Sequence, residues 1–109
     1  MQLPQLTEPA HVGREYRFAD DEGEGAYVVA DRPAYDRMIK ATLLKDRETF
    51  LKLARENEVI QLDPGTRVLV LELFDVAVGT ARYPSAELRV LSGPHEGKTV
   101  CALAQHLHP

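Results

Sequence analysis

The chain has 109 residues, 44% hydrophobic and 28% charged, enough for one domain with a modest core and no metal or disulfide support. Thirteen Lys and Arg stand against seventeen Asp and Glu, a net charge of −4, so composition argues against nucleic acid as a partner. The single cysteine, Cys101, excludes an internal disulfide framework and fits a reducing compartment.

Residues 1–10 contain Pro4 and Pro9 without periodicity and read as a flexible lead-in. Met1–Gln5 has neither a basic head nor an apolar stretch, so no signal peptide is expected. No window along the chain approaches the roughly 18 apolar residues of a membrane span. A cytoplasmic protein with no membrane partner is therefore expected.

Val12–Phe18 and Ala26–Val29 flank the run Asp20-Asp21-Glu22-Gly23-Glu24-Gly25, which predicts a β-hairpin over 11–30 with a solvated acidic tip. The tip lacks the alternating oxygen ligands and distal glutamate of a calcium loop. A helical cover is expected over 31–57. Asp31 caps the first helix, and Tyr35, Met38, Ile39, Thr42 and Leu43 share one stripe. Asp46 caps a second, with Phe50, Leu53 and Ala54 on its apolar side.

Val59–Leu62 is a short strand, ended by the turn Asp63-Pro64-Gly65-Thr66. Arg67–Phe74 is the strongest strand signal. Leu69, Leu71 and Leu73 make one apolar face, with Val68, Val70 and Phe74 opposite. A strand apolar on both faces needs cover on both, which places the helices on one side and a barrel interior on the other. Asp75–Ser85, with Gly79 and Pro84, reads as a long loop. Ala86, Leu88 and Val90 then alternate with Glu87 and Arg89 in a strand, followed by a loop bounded by Gly93 and Gly97. The strand 98–102 follows, then a single 3₁₀ turn within 102–107.

The segments Pro64–Leu71, Leu88–Lys98 and Val100–Leu107 resemble bacterial SH3-like barrels, over residues 59–107, and Ser92–Lys98 is similar to the KOW motif of ribosomal and transcription-factor barrels. Val100-Cys101-Ala102 stands where many such domains have Gly-Trp-Val, so their aromatic ligand platform is not carried over. The resemblance implies a small SH3-like β-barrel over 59–107. With the hairpin and helices read from the patterns of 11–57, the expectation is a single α+β domain, the barrel carrying an N-terminal β-hairpin and a helical segment packed on it.

Chemistry is sparse. Four histidines, His11, His95, His106 and His108, are too few and too scattered to nominate a zinc site, although a metal site at His106, His108 and Cys101 is a third reading. Cys101 lies in an apolar strand and reads as a small core residue. No phosphate-binding glycine loop and no carboxylate pair is visible, so a non-catalytic domain without cofactor or metal is expected. The expected function is protein–protein interaction or self-association through Tyr83, Arg89, Pro94, His95 and Lys98. The alternative is RNA binding through the KOW-like loop, with Arg82, Arg89 and Lys98 on phosphates.

Overall fold

The structure, a computed structural model, describes residues 3–109. Its helices form where their caps predict. Ala34 N–H donates to Asp31 Oδ2 at 2.9 Å to open α1 (Arg32–Leu43), and Thr49 N–H donates to Asp46 Oδ1 at 3.2 Å to open α2 (Arg47–Glu56). Lys45, the only described non-glycine residue with positive φ (57°), makes the break between them. The strands are β1 (Glu15–Phe18), β2 (Ala26–Val29), β3 (Val59–Leu62), β4 (Thr66–Val78), β5 (Ala81–Val90), β6 (Thr99–Leu103) and β7 (Leu107–His108). A 3₁₀ turn at Ala104–His106 links the last two, inside the span expected for it.

All strands pair antiparallel in the order β3-β2-β6-β5-β4-β1-β7, curled into a half-barrel. The predicted N-terminal hairpin is not formed. β1 pairs with β4 and β7, whereas β2 pairs with β3 and β6, so the two strands lie apart in the sheet. The acidic turn between them closes on itself instead: Asp20 Oδ1 accepts from the N–H of Glu22 at 2.9 Å and of Glu24 at 2.7 Å. That local turn redirects the chain, and Phe18 is fully buried in the inner core beside Leu107.

The predicted long loop at Asp75–Ser85 is also strand. β4 runs on to Val78 and returns as β5 through the two-residue turn Gly79-Thr80, with Gly79 at φ 60°, as a II′ turn favours. Pro84 is tolerated there because β6 pairs with β5 only from Ser85 onward, leaving Pro84 on a one-sided strand.

A β-bulge decides how the doubly apolar strand is sheltered. Val70 pairs with Leu88 and Glu72 with Glu87, so Leu71 is an extra residue that exchanges the two faces of β4. Before it, Val68 and Val70 point into the inner core with Phe18, Leu88, Val90 and Val100. After it, Phe74, Val76 and Val78 point outward to the helix-side core with Tyr35, Met38 and Leu53. The expected face of Leu69, Leu71 and Leu73 therefore does not exist as one surface. The expected two-sided cover is not found: β4 seals only its inner face before the bulge and only its outer face after it. Each half supplies a different core and the opposite face stays partly open, Leu73 most of the three leucines. The hairpin of β5 and β6 follows its prediction: Ala86, Leu88 and Val90 are sealed, and Val90 N–H donates to Lys98 O at 2.8 Å across the Gly93–Gly97 loop.

Candidate functional site

The expected binding residues do not converge. Tyr83 lies on β5 opposite Val76, half-buried against the helix-side core rather than displayed on a loop. Arg89 lies six residues along the same strand, about 20 Å away at a strand's rise per residue. Pro94 and His95 sit on the loop beyond, against Gln61–Asp63 around a dent of ≈ 30 Å³, too small for a side chain of a partner. Lys98 is held in an ion pair with Glu58, which keeps that carboxyl below its usual range. Pro94, His95 and Lys98 thus share one loop, while Tyr83 belongs to another region.

The C-terminal histidines are occupied differently. His108, 1% exposed, has Nδ1 3.0 Å from Pro4 O and Nε2 3.1 Å from Ala19 O, so both ring nitrogens are engaged by carbonyls. His106 meets the Phe18 ring edge-on at 5.8 Å, and burial holds its imidazole below the ordinary value against the pull of Asp21 and Asp20. Cys101 is sealed in the helix-side core, where burial pushes its thiol up to about 11. A nucleophilic or metal-binding thiol needs the opposite, an accessible site that favours thiolate. Among the described residues, no three His, Cys, Asp or Glu side chains converge as metal ligands.

Two larger concave surfaces remain, beside a hollow of ≈ 200 Å³ on the far side of the lead-in at His11, Arg14 and Tyr16. One is an apolar cleft of ≈ 290 Å³ between the helices and the outer face of β2 and β3, lined by Tyr27, Val29, Met38, Phe50 and Val59 among others. Two of its three hydroxyls are already committed: Thr42 Oγ1 donates to Met38 O, and Tyr35 Oη is 2.8 Å from Ser85 Oγ, while Tyr27 stands at the exposed rim. Nothing in its interior orients a polar ligand.

The other is a groove of ≈ 750 Å³ at the open side of the half-barrel. The lead-in, expected to be flexible, is one wall. Ala10 is buried in the inner core, Leu6 packs against it, Pro4 O meets His108, and His11 N–H donates to Tyr16 Oη at 2.9 Å. The opposite wall is the arm of β4 and β5 past the bulge, at Leu73, Asp75 and Pro84, and the 3₁₀ turn with Leu107 closes one end. Here the inner face of the sheet outruns its core: Leu73 is 39% exposed on the same face as sealed Ala86 and Leu88. The groove combines an apolar floor with carboxylates on both walls, Glu8 and Asp75. The groove is hidden from the sequence because Asp75–Ser85, with Gly79 and Pro84, reads as loop; the alternation Val76–Val78 and the Gly79-Thr80 turn are the signal that points to it.

No protein-family model, curated protein or solved structure matches this chain.

Proposed function

We propose that this chain is a small SH3-like interaction domain that holds a segment of a partner protein in the groove between its lead-in and the β4–β5 arm. The SH3-like reading is supported by the contiguous order β7-β1-β4-β5-β6 and by the 3₁₀ turn before the last strand, with β2, both helices and β3 as an insertion between β1 and β4. The observation that carries the functional reading is Leu73, a large apolar side chain left open in a concave site of ≈ 750 Å³ that is otherwise walled by packed elements. Grooves of that size, apolar with a few polar groups at the edge, are where proteins bind ligands and peptide segments.

Selection from a displayed peptide library, followed by mapping of backbone amide shifts, tests this. Bound peptides are expected to shift Leu73, Asp75, Ser85 and Gln105, and to lose affinity with Leu73→Ser. Binders that map instead to the 92–98 loop, or to the cleft beneath Tyr27, overturn the choice of groove.

A further inference from the structure

Resting on that groove as the binding site, we infer that its occupant is a cationic segment carrying an aliphatic anchor. The groove is lined by Glu8 on the lead-in and Asp75 on β4, both exposed, and by no Lys, Arg or His. Neither carboxylate is neutralised within the fold: among the described residues the ion pairs are Arg32–Glu72, Lys40–Asp36, Arg67–Glu15 and Lys98–Glu58. At the closed end, Gln105 lines the groove and its amide donates to Asp21 Oδ2 at 2.9 Å. This places the acidic turn Asp20–Glu24 next to the site, extending the negative field past the groove's end. Arg82 shares the inner face of the arm but stands toward the hairpin tip opposite Ala77, outside the lining.

The floor sets the second requirement. Leu6, Leu73 and Leu107 are aliphatic, and the groove's only aromatic side chain is Phe74, whose ring is engaged on the helix side. There Arg32 lies 3.8 Å over its face and Tyr35 meets it edge-on at 5.8 Å. Proline-rich ligands need aromatic ridges to stack against, which this floor lacks. An aliphatic side chain flanked by bases meets both the floor and the walls. Opposite charge across such a contact raises association rate and fixes register, with the apolar anchor supplying retention.

Fluorescence anisotropy with four short labelled peptides tests the pairing: leucines flanked by arginines, by glutamates or by serines, and a neutral proline-rich peptide. The arginine–leucine peptide is expected to bind at least roughly tenfold more tightly than the others. The double variant Glu8→Lys/Asp75→Lys should weaken it by a similar factor and transfer preference to the glutamate–leucine peptide. Leu73→Ser should weaken all of them. If the glutamate, serine or proline peptide binds the groove equally well, the cationic occupant is wrong while the groove stands. If the arginine–leucine peptide binds but ignores Leu73→Ser, the attraction is a diffuse surface effect and the proposal fails. If none binds, both the occupant and the groove are wrong.

Discussion

Leu73 pairs directly with Ala86 across the β4–β5 ladder, yet Ala86 is fully buried and Leu73 is 39% exposed. This single rung marks where the half-barrel stops being filled. On one side of it lie Leu88 and Val70, sealed in the inner core; on the other, the same sheet face runs on into the groove.

Two leucines on the inner face of the β4–β5 ladder should therefore answer differently to truncation. Leu88→Ala removes a fully buried side chain and should cost about 2–5 kcal/mol in urea denaturation. Leu73→Ala should cost under about 1 kcal/mol, because much of its side chain is already in water. Equal losses would mean that Leu73 is core, and the groove no site.

The buried pair of Tyr35 and Ser85 is asymmetric. Ser85 Oγ also reaches Tyr83 O at 3.2 Å, so Tyr35→Phe leaves it with a partner, at a cost of about 1 kcal/mol. Ser85→Ala strands the Tyr35 hydroxyl in an apolar core and should cost about 1–3 kcal/mol. Thermal unfolding of the two variants gives the order, and a larger loss for Tyr35→Phe would contradict it.

Alkaline stability should fall in a defined interval. Burial pushes the Cys101 thiol from 9.0 up to about 11 and the Tyr35 hydroxyl from 10.0 up to about 12. Each group keeps its proton longer when folded, so between those limits the unfolded chain has already released protons and is favoured as pH rises. The urea midpoint should be flat between pH 7 and 9 and decline from there to about 12, with the thiol resistant to alkylation until the fold opens. Cys101→Ala should remove the earlier part of that decline. A midpoint unchanged across the interval would refute the burial of both groups.

On the acid side the sign reverses. Burial holds His106 below its ordinary 6.5, so on acidification the unfolded chain takes up this proton first. Its contribution is complete above 6.5 and is lost as pH falls below that value. The midpoint should begin to drop between pH 7 and 5.5, before carboxylates titrate, and His106→Asn should flatten this early drop. An identical drop in the variant would assign the effect elsewhere.

Several elements were legible in the sequence because their signals are local. Asp31 and Asp46 announce their helices by capping chemistry, and Gly93 and Gly97 frame a turn with φ of 83° and 90°. What was hidden depends on pairing. Nothing in Glu15–Phe18 or Ala26–Val29 says that these strands part company, since each would fit a hairpin equally well. The bulge at Leu71 was equally silent: an uninterrupted apolar run reads the same whether its parity changes or not. Pro84 pointed the wrong way, because its tolerance depends on where β6 ends. The groove inherits all three difficulties, being built from a lead-in, an arm taken for loop, and the face exchange between them.

The most direct test of a groove-bound segment is a set of intermolecular nuclear Overhauser contacts between the arginine–leucine peptide and methyl-labelled protein. The account predicts contacts from the peptide's leucine methyls to those of Leu6, Leu73 and Leu107. Contacts to the Tyr83 ring or to the 92–98 loop, with none to Leu73, would contradict it.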